Sequence, residues 1–280
     1  MSANKRLSQL RIPARYFLYI PLVLLAALYL VPMYVILATG FKGFDQVSQK
    51  TMWDLPTSLS IDNYVEAFNK LAPYLWNSIN MVVPAAVISA FIGSLNGFVL
   101  ARWKFRGANI IFPLILFGMF IPYQSIFIPL VEFMRAIHLY GGLPGLVLAH
   151  IIYGIPITTL IFRNYYATIP TEIIESARID GADILQTYRY ILLPLSAPAF
   201  VVVLIWQFTS TWNDFIFAVV LTKPEFWPIT VALNNLAGSQ IIAWNVQMAG
   251  SLLAALPTLL VYIFLGRYFL RGLMAGALKG

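Results

Sequence analysis

Few residues in this chain carry groups able to attack, ligate or exchange protons. Its 280 residues include 18 Lys and Arg, 11 Asp and Glu, two His and no Cys. Without thiols there is no disulfide, zinc–thiolate centre or cysteine nucleophile. His138 and His150 are too few and too scattered to make a metal centre. The titratable groups do not cluster as an active site requires. No Gly-x-x-x-x-Gly-Lys-Ser/Thr run offers a cradle for nucleotide phosphates. The expectation is therefore no catalytic residue, no metal, no cofactor and no enzymatic activity in this chain.

Two polar groupings remain. The first is Trp212-Asn213-Asp214, with Gln207 shortly before it, inside an apolar block from about Leu195 to Leu221. Asn213 and Asp214 can exchange hydrogen bonds with hydroxyls, and Trp212 offers a ring face for stacking. A carboxylate at membrane depth is costly and turns to a bundle interior or a watery cavity. Lining a solute path and bonding a neighbouring helix are both open readings of this cluster. His150, also inside an apolar block, reads as a satisfied bundle histidine. The second grouping is the stretch 170–194, IPTEIIESARIDGADILQTYRYILLPLSAP with its flanks.

The elements that must position these groups follow from composition. Hydrophobic types make up 60 % of the chain and charged types 10 %, against about 25 % charged in a soluble domain. The apolar residues fall into six blocks, about Tyr16–Gly40, Trp76–Leu100, Ala108–Glu132, Leu143–Phe162, Leu195–Leu221 and Ala249–Leu270. Blocks of about 20 residues cross a hydrocarbon core as helices, so the fold class is all-α and polytopic, with six spans. Gly93 and Gly97 form a small-xxx-small pair that suits a close helix crossing, although glycine is frequent in membrane helices generally. Thirteen of the 18 basic residues fall on the side that holds both termini, which makes that side cytoplasmic. The net charge of +7 is thus a topology signal, and no nucleic acid is expected. Residues 1–15 form a basic cytoplasmic arm, and 16–280 a single transmembrane domain.

The 170–194 stretch has a helical grammar of its own. Thr171 is placed to cap a helix, with Glu172 and Glu175 in its first turn. Ile174, Ala177 and Arg178 share a face. Gly181 permits the positive φ that ends a helix. Asp183 and Gln186 have capping-box spacing for a second helix, which runs to Leu193 and is broken by Pro194.

These residues resemble the cytoplasmic signature of binding-protein-dependent ATP-binding-cassette importers: Glu-Ala-Ala, three residues, Gly, nine residues, Ile-x-Leu-Pro. Glu175-Ser176-Ala177, Gly181, Ile191, Leu193 and Pro194 match it, with Ser176 replacing one alanine. Thr211-Trp212-Asn213-Asp214-Phe215 and the end from Arg267 to Lys279-Gly280 are similar to the carbohydrate-uptake branch, in its second, shorter permease subunit. Arg163-Asn164-Tyr165-Tyr166-Ala167 and Asn234-Asn235-Leu236 are nearest to glucose-type and glucosylglycerol-type members.

The resemblance implies a permease in a bacterial cytoplasmic (inner) membrane that moves a small carbohydrate inward. It implies a heterodimer with a paralogous permease, two cassette ATPases that bind ATP and Mg, and an external solute-binding protein. Glu175, Ser176, Ala177, Arg178, Asp180 and Gly181 would dock on the ATPase within the 171–194 coupling helices. Gln207, Trp212, Asn213 and Asp214 would line the translocation path. Gly238, Ser239 and Gln240 would touch the binding protein. A secondary transporter would instead show an internal repeat and paired intramembrane ionisable groups, neither of which stands out.

Overall fold

The computed structural model describes residues 11–103, 105–238 and 243–277. Residues 1–10 of the basic arm, Ser239 and Gln240 of the expected contact loop, and the Lys279-Gly280 end lie outside the described residues. All regular structure among the described residues is helical.

By its contacts the chain divides into two compact parts. One comprises the residues up to Lys70 with Leu236–Leu253, the other Leu71–Asn235 with the residues from Ala254 on. In the first part, helix α1 (Arg11–Gly40) carries no charge after Arg15, and its stretch Tyr19–Gly40 is long and apolar enough to span. Side chains from Tyr19 to Tyr34 are exposed, so hydrocarbon or another subunit must cover them. The connection that follows is tied by polar groups. Asn63 Nδ2 donates to the Gly40 and Lys42 carbonyls at 2.9 and 2.8 Å, and Asn245 Nδ2 donates to Asn63 Oδ1 at 2.7 Å. Lys42, 1 % exposed, donates Nζ to the Thr51 carbonyl at 2.7 Å.

Helix α2 (Asp62–Arg102) has 41 residues, about 60 Å at 1.5 Å per residue. The span expected from Trp76 therefore starts about four turns earlier, within one helix that also holds Pro73 and Pro84. The third expected span, Ala108–Glu132, is broken into helices α3 (Ala108–Phe117) and α4 (Phe127–Ala136), and the chain turns by 92° between them. The cause is local: Pro122 lacks an N–H, and Ile121 before it is extended (φ −75°, ψ 117°), as a residue preceding proline prefers.

Helix α5 (Leu143–Thr168) crosses α2 at backbone contact. A Cβ on Gly93 would fall on Thr158, and one on Gly97 would lie 2.7 Å from the Arg163 amide nitrogen. The small-xxx-small pair is thus a packing face. Thr158 Oγ1 donates to the Ser89 carbonyl across the crossing at 3.1 Å.

Helix α6 (Thr171–Ile179) is followed by α7 (Ile184–Thr187), a π-helical turn (Tyr188–Leu192) and α8 (Leu193–Leu195). Then come α9 (Ala197–Trp212), α10 (Ile216–Leu221), α11 (Ile229–Ala237) and α12 (Trp244–Ala277). The 16 residues of α9 rise only about 24 Å, short of a hydrocarbon core of about 30 Å. α10 carries the chain on to Thr222, where the segment pairs with Gly141 just before α5: the Gly141 amide donates to Leu221, and the Lys223 amide to Gly141. Among the described residues four helices are long and apolar enough to span alone, and two bent pairs raise the number to as many as six.

Candidate functional site

The segment after α5 folds by short-range rules. Ile169 and Pro170 are extended, and α6 begins at Thr171. Thr171 is therefore the first helical residue rather than the expected cap, because Pro170 has no N–H and occupies the capping position itself. Ile174 and Ala177 are buried; Glu175, Ser176, Arg178 and Ile179 are exposed. Arg178 is exposed yet lines one cavity with Ile174, beside Phe98 and Arg102 of α2, so it keeps the face it was expected to share while its head reaches solvent. The helix ends in a Schellman motif: the Gly181 amide donates to Arg178, and the Ala182 amide to Ala177. Gly181 has φ +81°, and a Cβ there would meet nothing within 4 Å. Glycine is required there for its conformation, and the space beside it is open.

The capping box forms as its spacing predicts, with the Gln186 amide donating to Asp183 Oδ1 at 2.7 Å and the Asp183 amide to Gln186 Oε1 at 2.9 Å. Pro194 does not break the second helix. The π-helical turn precedes it and α8 carries it; the break comes at Ser196 (φ −86°, ψ 4°). This segment is anchored to the bundle through buried hydroxyls. Ser94 Oγ of α2 lies 2.6 Å from Tyr166 OH of α5 and 2.9 Å from Tyr188 OH. Phe98 stacks on Tyr188 with centroids 5.7 Å apart. Arg102 donates to the carbonyls of Tyr166 and Ile169. The outward face keeps Glu175, Arg178 and Asp180 out of the ion pairs among the described residues. Beside them stand apolar Ile179 and Leu185, 86 % and 68 % exposed.

The second site lies where the fifth span breaks. Asn213 to Phe215 leave the helix, and Asp214 takes up the freed amides. Its Oδ1 accepts from Phe217 at 3.3 Å and its Oδ2 from Ala218 at 3.1 Å. His150 of α5 brings Nε2 to 3.4 Å from Asp214 Oδ2, with both side chains about nine-tenths buried. That separation exceeds a good hydrogen bond, and His150 Nε2 has no hydrogen-bond partner among the described residues. His150 is therefore not the satisfied histidine expected. Gln207 donates Nε2 to the His150 carbonyl at 3.1 Å and packs on Gly154. Gln207, Asn213, Asp214 and His150 line one cavity of about 450 Å³ with Tyr123, Tyr153 and Trp206.

Trp212 is not in its lining. It is 2 % exposed, stacks on Phe208 with an interplanar angle of 11°, and donates Nε1 to the Ala254 carbonyl at 3.0 Å. Trp212→Phe should keep the stack, lose that bond and cost about 1 kcal/mol, or a few degrees in Tm, with uptake unchanged. A large loss of uptake at unchanged Tm would mean that the indole meets solute. Gly238 is exposed directly after α11. Sequence reasoning missed Tyr123, Tyr153 and Trp206, whose only signal was aromatic type within apolar blocks.

Straight and broken apolar helices, with the short-helix segment 170–194 anchored to them, are the architecture of a polytopic membrane protein. Residues 91–273 match the family described as binding-protein-dependent transport system inner membrane component, and the chain belongs to it as a permease subunit of an ATP-binding-cassette importer. It is 47 % identical over 270 residues to a probable ABC transporter permease of Pyrococcus horikoshii, covering 96 % of this chain and 98 % of that one. It is 32 % identical to the glucose import system permease of Saccharolobus solfataricus, covering 92 % of both chains. It is also 32 % identical to the xylose/arabinose import permease of Haloferax volcanii, again over 92 % of both. In fold it is similar to a chain of a bacterial ABC transporter that imports alginate, with a TM-score of 0.77, 23 % identity and coverage of 92 % of this chain and 98 % of that one.

Proposed function

We propose that this chain moves a small carbohydrate, a mono- or disaccharide or a glycosyl compatible solute, inward across the inner membrane. In this reading 16–280 act as one permease domain with both termini cytoplasmic, paired with a paralogous permease. Two cassette ATPases supply the ATP and Mg sites and so the chemistry, and an external binding protein delivers solute, with Gly238 near its contact loop. The relatives named for glucose and for xylose and arabinose support the substrate class.

The observation that carries the reading is the 171–194 segment. Its buried back is fastened to α2 and α5, while its front offers Glu175, Ser176, Arg178, Asp180 and the open side of Gly181 to a partner. A groove on the ATPase that receives α6 would shift the segment as a body and turn the bundle with it. Charges at the rim would set orientation more than affinity. Gln207, Asn213 and Asp214 would line the solute path, with Trp212 holding that span in place.

The test is purification of the chain from native membranes in mild detergent, beside a Glu175→Lys, Gly181→Asp variant. A cassette ATPase and a second permease should accompany the unaltered chain, and the variant should lose the ATPase. If the chain purifies alone and the variant behaves identically, the segment is not a docking element.

A further inference from the structure

We propose that the cavity at the broken fifth span is a carbohydrate-binding subsite built by this subunit itself, with the His150–Asp214 pair as its polar anchor. This rests on the reading of the chain as a sugar permease and adds which residues grip the solute.

Three observations converge. First, the pair is incomplete. A carboxylate offers about four acceptor positions, and Asp214 spends two on the α10 amides. Beside it stands the buried Nε2 of His150, without a hydrogen-bond partner among the described residues. A buried polar atom left unpaired is costly, and an incoming hydroxyl answers both needs, donating to the carboxylate and exchanging a bond with the imidazole.

Second, the setting fits a sugar. A cavity of about 450 Å³ lies in the range of small-molecule sites, about 300–1,000 Å³. The rings of Tyr123, Tyr153 and Trp206 share its wall with the polar pair, which offers apolar faces to the C–H side of a pyranose. A single carboxylate without a second acid suits a neutral polyol rather than a metal ion: among the described residues no cluster could hold a metal.

Third, the pair is enclosed. His150 and Asp214 are both about nine-tenths buried within apolar blocks. A carboxylate inside a span does not face lipid, so the open side of the cavity faces water or a partner subunit.

The experiment uses the complete transporter in proteoliposomes with its binding protein. Uptake of radiolabelled glucose, xylose, arabinose and an α-glucoside is measured beside binding-protein-stimulated ATP hydrolysis. His150→Ala and Asp214→Asn should each lower uptake about tenfold, the loss expected when one buried polar contact to solute goes, and should alter the ratio between sugars, while hydrolysis stays within about twofold of the unaltered complex. Trp206 is 49 % exposed, so Trp206→Ala should assemble normally and also lower uptake and shift the sugar ratio. It decides the matter if the buried variants do not assemble. Uptake unaltered by Trp206→Ala, or uptake and hydrolysis falling in parallel with sugar ratios fixed, would overturn the subsite. An unaltered complex that hydrolyses ATP but takes up none of these sugars would instead refute the carbohydrate reading on which it rests.

Discussion

Leucine at Gly93 or Gly97 should leave almost no correctly assembled permease in the membrane. The two glycines are where α2 and α5 approach with no side chain between them. A Cβ at Gly93 would lie 2.8 Å from the Thr158 carbonyl carbon, and one at Gly97 would lie 2.7 Å from the Arg163 nitrogen and 2.9 Å from the Phe162 carbonyl carbon. Backbone atoms cannot rotate aside as a side chain can, so α5 must move as a body. Moving it breaks the Thr158–Ser89 bond and opens the core built on Ala90, Phe98, Phe162 and Tyr166. Overpacking that rearranges a core costs about 1–3 kcal/mol and more where backbone blocks relief, against a total stability of about 5–15 kcal/mol. Gly266 supplies the control, since a Cβ there meets nothing within 4 Å and Gly266→Ala should leave Tm unchanged or slightly raised. Size-exclusion profiles and thermal melts of the detergent-solubilised protein read both. A Gly97→Leu variant that melts within a few degrees of the unaltered chain would refute the tight crossing.

Breaking the Ser94–Tyr166–Tyr188 hydroxyl network should separate ATP hydrolysis from transport. Ser94→Ala leaves the Tyr188 phenol short of a partner while Tyr166 keeps its bond to Ser196, a cost of about 1–3 kcal/mol for the unpaired group and less where the membrane-unfolded state finds other partners. Tyr188 is the point where the 170–194 segment enters the core, so loosening it lets that segment move without carrying α2 and α5. Uptake should fall several-fold while hydrolysis in the reconstituted complex persists. Removing all three hydroxyls, with Ser94→Ala, Tyr166→Phe and Tyr188→Phe together, replaces a polar network by apolar groups of similar shape. Such a change is close to neutral for stability. The triple variant should therefore recover its Tm while uptake remains low. Recovery of both would assign the network to stability alone.

The structure treats identical residue types differently, which marks the reach of sequence reasoning. Pro122 turns the chain by 92°, whereas Pro84, Pro156 and Pro257 sit inside continuous helices and Pro194 follows a π-helical turn rather than ending one. Whether a proline breaks a helix depends on whether neighbours can satisfy the carbonyl it frees, and the neighbours are distant in sequence. His150 illustrates the same limit. Its burial was legible from the apolar block around it. Its approach to Asp214, 64 residues on, depends on α5 and the broken fifth span meeting at one depth.

What the sequence determined alone is whatever rests on neighbours within about one helical turn or on bulk transfer to lipid. The apolar blocks, the capping box of Asp183 and Gln186, the positive φ of Gly181 and the spaced signature from Glu175 to Pro194 are all of this kind, because local hydrogen bonding and hydrophobicity are written in consecutive residues. Only the tertiary structure decided that α2 runs unbroken from Asp62 to Arg102, that Trp212 anchors to Ala254 rather than facing the cavity, and that Ser94 joins Tyr166 to Tyr188. Those outcomes depend on which helix faces meet, a property of the packed bundle that no single helix carries.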